Sequence, residues 1–308
     1  MGRYVIRRLL QMVPVFIGTT FLIFVMVHVL GDPVAAMFGD RKPDPATAAA
    51  IRHELGLDKN VFLQYWDYIT DIFRGDFGTA FNGQPVTELM STAFPVTLKL
   101  TAVAITVEAV IGITLGMLSG LRPGRFTDNG SLAFTMLIIS VPTFVMGYLL
   151  QYLLGVKWGV PGTISVDPDA PISQLLIPGL VVAGVSLAYV TRLTRTSVAE
   201  NMRSDYLRTA VAKGLPRRRV VGVHLMRNSL IPVVTFIGAD VGGLMAGAII
   251  TEKIFNIHGV GFQLYNGILR QNVQTVVGFV TVLVIVFLLV NLLVDLLYAV
   301  LDPRIRYA

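Results

Sequence analysis

Long apolar runs constrain this chain more than any other feature. Six of them approach or exceed the length of about 20 residues that a helix needs to cross a bilayer. They cover residues 9–30, 96–121, 132–155, 173–191, 230–251 and 276–300. Of the 308 residues, 54% are apolar and 14% are charged, whereas a typical soluble domain has about 25% charged residues. The sequence therefore predicts an all-α integral membrane protein with six transmembrane helices.

The positions of Lys and Arg predict which side of the membrane each loop faces. Basic residues collect in cytoplasmic loops. With a cytoplasmic N-terminus, 16 of the 25 Lys and Arg residues fall on the inner side and eight in the outer loops. Both termini are then cytoplasmic and residues 31–95 face outward. The first span lacks a small-residue cleavage site, so we expect an uncleaved anchor.

The predicted outer segment, residues 31–95, contains two helix signals. In DPATAAAIRHELGLD, Asp44 is placed as an N-cap, Pro45 at the first helical position and Gly56 just past the end. The next stretch, NVFLQYWDYITDIFRG, is predicted to have one apolar face formed by Phe62, Tyr65, Trp66, Ile69 and Phe73. These small helices either pack on the outer surface of the bundle or form a docking surface for an extracytoplasmic partner, and the pattern favours packing.

Two carboxylates fall near the middle of predicted spans. Glu108 lies in span two and Asp240 in span five, where an ionisable side chain is costly unless it faces protein or water. They line a substrate or ion path, or they make interhelical hydrogen bonds. The sequence leaves both interpretations open.

Small residues and prolines predict how the spans pack. Gly112, Gly116 and Gly120 lie four residues apart, a spacing that lets helices approach closely. Pro142 and Pro178 are expected to kink or start helices.

The sequence offers no catalytic or metal centre. It has no Cys, no glycine-rich phosphate loop and only four scattered histidines, His28, His53, His224 and His258. We therefore expect no catalytic residue, no metal and no cofactor. If the chain moves a solute uphill, the energy must come from an ion gradient or a separate ATP-hydrolysing chain. The Arg bias of the inner loops explains the net charge of +6, so no nucleic-acid partner is expected.

The stretch between spans four and five, about residues 192–229, is longer and more basic than a turn requires. It contains RTAVAKGLP, in which Ala210 and Gly214 leave one helical face nearly flat. Topology control explains the arginines, whereas a flat helical knob suits insertion into a groove on a partner. Spacing alone does not decide between the two.

The same stretch, DYLRTAVAKGLPRRRVVGVHLMRNSLIPVV, resembles the cytoplasmic EAA loop of permease subunits of binding-protein-dependent ABC importers, in the form of the dipeptide, oligopeptide and nickel branch. The segments GLDKNVFLQYWDYITDIFRGDFG, ITEKIFNIHGVG and NLLVDLLYAVLDPRIR also resemble that branch, and the likeness is closest to the B-type subunits of dipeptide permeases. The chain departs from the general pattern where a Glu and two Ala precede the Gly, because these positions hold Arg208, Thr209 and Ala210.

The resemblance implies a permease subunit of an ATP-driven importer in a bacterial plasma membrane. It would form half of a pathway for dipeptides or short oligopeptides, with nickel chelates and glutathione as the next candidates. The implied partners are a homologous second permease subunit, two ATP-binding subunits or one fused chain, an extracytoplasmic solute-binding protein, the peptide and membrane lipid.

The resemblance also implies the site residues. The coupling surface, residues 205–216, would comprise Asp205, Tyr206, Ala210, Lys213, Gly214 and Leu215. Glu252 and His258 would lie at the outer mouth and gate the path, unless residues 252–262 form an ordinary Gly-rich turn.

The predicted organisation is an anchor span at 1–30, the outer segment at 31–95, a core of five transmembrane helices at 96–300 and a cytoplasmic tail at 301–308. An ion-coupled secondary transporter using Glu108 and Asp240 is the alternative. It accounts for the carboxylates but not for the 206–232 loop or the outer segment. A membrane enzyme is the weakest interpretation, because no catalytic constellation is found.

Overall fold

A computed structural model describes residues 2–30, 34, 38, 44–54, 56–161, 163–167 and 170–301. Within these ranges the chain is helical and has no strand beyond an isolated bridge between Thr79 and Pro85. Five of the described helices are long and apolar enough to cross a membrane, and the number is six if a pair bent by 100° counts as one span. The predicted all-α membrane class is confirmed. Most of residues 31–43 and nearly all of the predicted tail lie outside the described residues.

The helices are numbered here in chain order. They are α1 Gly2–Leu30, α2 Pro45–Glu54, α3 Val61–Phe73, α4 Val86–Val107, α5 Ile113–Gly120, α6 Phe126–Ser140, α7 Thr143–Leu150, α8 Leu176–Asn201, α9 Asp205–Ala212, α10 Ile231–Ile254, α11 Val260–Leu269 and α12 Val273–Leu301. A π-helical turn, Glu108–Gly112, joins α4 to α5, and a second, Gln151–Lys157, extends α7. A short 3-10 turn, Ile172–Leu175, leads into α8. Residues 217–229 form a further helical segment whose middle, Val220–Leu225, is a π-helical turn.

Internal contacts group the chain into two compact units. One comprises Met1–Thr97 and His258–Ala308, and the other comprises Leu98–Ile257. This grouping by contacts does not test the predicted segments, which describe the order of the chain across the membrane.

In the first unit, two tyrosines attach α3 to the long helices α1 and α12. The Tyr65 hydroxyl lies 2.8 Å from Thr20 Oγ1 on α1, and the Tyr68 hydroxyl donates to the Val277 carbonyl on α12 at 3.2 Å. Both rings also contact the ring of Phe24. Burial raises the pKa of the Tyr68 phenol above its ordinary value. Helix α3 therefore packs on the long helices α1 and α12, which is the arrangement that the sequence favoured.

The predicted start and glycine end of α2 are confirmed, whereas only part of the predicted apolar face of α3 is buried. Asp44 Oδ2 accepts from the Thr47 amide at 3.4 Å, and Gly56 follows α2 with φ +65°. On α3, Tyr65 is half-buried, together with Tyr68. Three of the predicted residues are instead 70%, 65% and 81% exposed: Phe62, Trp66 and Phe73. The two tyrosines set the buried face because their hydroxyls find partners on α1 and α12, and the exposed aromatics suit a membrane–water boundary.

In the second unit, the glycines of α5 and the preceding π turn allow α8 to approach closely. A Cβ on Gly112 would lie 2.7 Å from a Val190 methyl, and a Cβ on Gly116 would lie 2.5 Å from the Thr191 carbonyl oxygen. A Cβ on Gly120 would meet the backbone of α8 at 2.7 Å. Real Cβ atoms do not approach that closely, so the predicted close packing at these three positions is confirmed.

The third predicted span, residues 132–155, is broken rather than straight. Two helical runs, Phe126–Ser140 and Thr143–Lys157, meet at an angle of 100°. Pro142 stands at the break, as expected of a residue that removes a backbone donor. Each run of 15 residues is about 22 Å long, shorter than a hydrocarbon core of about 30 Å.

Helix α8 extends ten residues beyond the predicted end of its span at residue 191. Pro178 lies in its first turn, where proline is tolerated. Between Gly184 and Gly214 the sequence contains neither Gly nor Pro, so nothing stops the helix where the apolar run ends. Arg192 and Arg195 therefore lie on a helix and not in the predicted loop.

We expect Gly116→Ala to destabilise the chain and Gly130→Ala to leave it unchanged or slightly more stable. The first Cβ would collide with the backbone of α8, whereas the space beside Gly130 on α6 is open. Overpacking of this kind costs about 1–3 kcal/mol. Thermal unfolding in detergent, followed by circular dichroism, measures the difference, and equal midpoints for the two variants would contradict the close packing.

Candidate coupling surface and membrane interior

Backbone capping defines both ends of α9. At its start, the Ser204 carbonyl accepts from the amides of Leu207 and Arg208 at 3.2 and 3.3 Å. At its end, the Gly214 amide donates to the Val211 carbonyl at 2.9 Å. The next amide reaches back five residues: Leu215 donates to the Ala210 carbonyl at 3.3 Å. This pair of bonds is a Schellman motif, and Gly214 supplies its left-handed residue with φ +71°.

The predicted coupling residues do not all face the same way. Four of them are exposed: Asp205, Tyr206, Lys213 and Gly214. Leu215 is half-buried, and Ala210 is only 6% exposed because it points into the chain's own interior beside Leu207. Ala210 therefore does not lie on the free face in this conformation, and its coupling role stays a prediction. The free face instead carries Val211, which is 62% exposed. No sequence signal indicated this, because Val211 is four residues from Leu207 and helical periodicity alone would put both on one face.

A buried cluster joins α9 to the C-terminal end of α8. Its members are Val198 of α8, Leu207 and Ala210 of α9, and Val220 and Leu225 of the 217–229 segment, all at most 6% exposed. Next to the cluster along α8, the Ser229 hydroxyl donates to the Ser197 carbonyl at 3.4 Å. A force on α9 is therefore passed to α8 through packed side chains rather than through a loose connection.

The two intramembrane carboxylates have different environments. Glu108 is fully buried at the start of the first π turn, and neither of its oxygens has a hydrogen-bond partner among the described residues. Asp240 on α10 is half-buried and hydrogen-bonded to Ser186 of α8, which leaves Oδ2 without a described partner. Asp240 therefore fits the interhelical hydrogen bond that the sequence allowed. Packing does not explain why Glu108 is buried without a described partner. Its position in a π-helical turn is one often found at functional sites.

The two residues predicted at the outer mouth also differ in exposure. Glu252 is fully buried in the last turn of α10, whose end is fixed by a hydrogen bond from Gln151 Nε2 to the Ile254 carbonyl at 2.8 Å. His258 is exposed and lies edge-to-face on the Phe262 ring, with centroids 4.5 Å apart. Only His258 has the accessibility that a gate or docking residue needs in this conformation.

Comparison with protein families identifies the class of protein to which this chain belongs. Residues 112–307 match the family described as "Binding-protein-dependent transport system inner membrane component". Residues 1–101 match the N-terminal family of the same systems. The chain belongs to this family. The predicted relationship to importer permeases is thereby confirmed.

Individual relatives match over their full lengths. The "Dipeptide transport system permease protein DppB" of Escherichia coli (strain K12) is 37% identical over 337 aligned positions, covering 100% of this chain and 99% of that protein. The "Di/tripeptide transport system permease protein DppB" of Pseudomonas aeruginosa (strain UCBPP-PA14) is 35% identical, with 99% and 98% covered. The "Glutathione transport system permease protein GsiC" of Salmonella choleraesuis (strain SC-B67) is 34% identical, with 100% of both chains covered.

Family membership settles the class of activity. The chain is a multi-pass inner-membrane permease subunit of an ABC importer, and ATP hydrolysis lies in separate subunits. It is not an enzyme. The alternative of an ion-coupled secondary transporter is not supported, because the family is a component of binding-protein-dependent transport systems and the relatives above are named as transport system permease proteins.

The Schellman turn predicts different effects for two replacements of Gly214. Asn tolerates the left-handed region and should preserve the turn, whereas Val should weaken it by about 1–2 kcal/mol. Hydrogen exchange of the 205–216 backbone, followed by mass spectrometry on the purified chain, should quicken about tenfold in Gly214→Val. Equal exchange in both variants would show that the turn does not need its left-handed residue.

Proposed function

We propose that this chain forms half of the translocation pathway for dipeptides or short oligopeptides and couples it to ATP hydrolysis through α9. The observation that carries the proposal is the exposed helix α9 packed rigidly on the inner end of a transmembrane helix, in a chain whose full-length relatives are named for dipeptide, di/tripeptide and glutathione transport. Glutathione is itself a small peptide, so the names share one solute class.

The complex we propose contains four kinds of component. A homologous second permease subunit completes the pathway, two ATP-binding subunits or one fused chain lie inside, and a solute-binding protein delivers the peptide outside. Both termini of this chain are cytoplasmic, as the bias of Lys and Arg supports. Arg217, Arg218 and Arg219, all exposed beside α9, hold that segment on the inner side.

Coupling requires that ATP and the loaded binding protein each favour the same conformation. A ligand shifts an equilibrium only through its different affinities for the two states. We propose that α9 sits in a groove of an ATP-binding subunit, with Tyr206, Val211 and Lys213 on the contact face. When ATP brings the two ATP-binding subunits together, α9 follows its groove and α8 moves with it.

Within the membrane, we propose that Glu108 contributes to the pathway and that Asp240 serves helix packing. Glu108 has two buried oxygens without a described partner, whereas Asp240 has Ser186. Glu252 is buried in this conformation, so a gating role requires the end of α10 to move. His258 is the exposed candidate at the proposed outer side.

Transport by the reconstituted complex tests the proposed function. Proteoliposomes holding both permease subunits and the ATP-binding subunits should take up radiolabelled dipeptide only with internal ATP and external loaded binding protein. In a competition panel, dipeptides should displace the label best, followed by tripeptides, glutathione and nickel chelates. Uptake driven by a proton gradient without ATP would contradict the proposal, and preference for a non-peptide solute would correct the substrate class.

Val211→Trp tests the contact face without straining the backbone. Val211 is helical and 62% exposed, so added bulk meets no neighbour in this chain but obstructs a groove on a partner. We expect loss of co-purification with the ATP-binding subunit by about tenfold or more, as for a central interface position. Val156→Trp, with the same change at a 63% exposed site on the run that extends α7, is the matched control. Normal co-purification of Val211→Trp would place the contact elsewhere.

A further inference from the structure

A buried ion pair lies at the inner end of the second unit and is not part of the coupling surface. Asp128 stands in the first turn of α6 with its side chain 2% exposed, and Arg195 stands on α8. The guanidinium binds the carboxylate with two parallel bonds, from Nε to Oδ1 and from Nη2 to Oδ2, the second at 2.8 Å. This bidentate geometry is the strongest form of an Arg–carboxylate pair.

Two further donors complete the carboxylate of Asp128. The Ser119 hydroxyl on α5 donates to Oδ1, and the Gly124 amide in the loop between α5 and α6 donates to Oδ2 at 2.7 Å. The carboxylate thus accepts four hydrogen bonds, about its full capacity. Since the donors come from α5, the loop and α8, the site ties three helices together at one point.

Arg195 is placed to connect this cluster with α9. Its backbone lies against the glycine face of α5, where a Cβ on Gly120 would come within 2.7 Å of the Arg195 carbonyl oxygen. Three residues further along α8, and so on a neighbouring part of its surface, Val198 is fully buried against Leu207 and Ala210 of α9. The ion pair and the α9 cluster are therefore one turn apart on the same helix.

We propose that Asp128 and Arg195 are positioning residues for coupling. They make the inner ends of α5, α6 and α8 move as one body with α9, so that a movement imposed on α9 reaches the transmembrane helices instead of being lost by bending of α8. This inference rests on the proposed function, in which α9 is the helix that receives the movement.

Conservative variants test this role, because truncating one partner of a buried pair would leave an unpaired charge and destabilise the fold. Arg195→Lys keeps the charge but loses the bidentate fork. In the reconstituted complex, we expect normal yield and normal basal ATP hydrolysis, and a loss of about fivefold or more in stimulation by peptide-loaded binding protein. Peptide transported per ATP hydrolysed should fall in parallel.

Two further variants separate positioning from general stability. Arg192→Lys makes the same change one turn earlier on α8, where the guanidinium makes a single hydrogen bond to Thr135 Oγ1 at 3.3 Å, and it should behave as wild type. Adding Asp128→Glu to Arg195→Lys restores the reach between the charges and should recover part of the stimulation.

Each outcome bears on a distinct claim. Stimulation of Arg195→Lys at the wild-type level overturns the inference and leaves the proposed function intact. A parallel fall in complex yield and basal hydrolysis also overturns it, because the pair then serves folding alone. A wild-type complex that loaded binding protein does not stimulate contradicts the proposed function, and the inference fails with it.

Discussion

The close approach of α8 to the glycine face of residues 112–120 is the constraint on which the second unit depends. A side chain at Gly112, Gly116 or Gly120 would meet α8 at 2.5–2.7 Å. That contact places Arg195 within reach of Asp128 and brings the C-terminal end of α8 to the cluster that holds α9. Packing between small residues, rather than hydrophobic burial, is what associates helices in lipid. Helix α9, the proposed coupling helix, therefore packs on a helix whose position is set by these close contacts.

The interior of the second unit shows where charge is tolerated. Asp128 accepts four hydrogen bonds, two of them from the bidentate Arg195, and Asp240 has Ser186. Glu108 differs from both, because its two oxygens have no partner among the described residues. A buried polar group without a partner costs free energy. Among these carboxylates, Glu108 is thus the one that packing does not explain, and we connect it with transport.

Much of the fold followed from the sequence because bilayer thickness fixes the length of an apolar run. The apolar runs were predictable in this way. The four-residue spacing of the glycines predicted their close contacts, and Pro142 predicted the break. The end of α8 was not, since apolar character stops at residue 191 whereas helical propensity continues to Asn201. The sequence also did not predict which side of α9 is buried or that Tyr68 of α3 is half-buried. Contacts with other helices decide this among apolar positions that are nearly equivalent in the sequence. The pairing of Asp128 with Arg195 joins residues 67 apart, and no local pattern predicts it.

The central claim is that α9 and the inner ends of the helices around it move as one rigid body during transport. The chain contains no Cys, so two introduced cysteines can carry spin labels without further changes. Asn129 on α6 and Arg208 on α9 are both exposed and are not among the proposed contact residues, and pulsed electron–electron double resonance measures the distance between labels there. We expect one narrow distribution that is the same in the nucleotide-free and ATP-trapped complexes. A shift or broadening between those two states would contradict the claim.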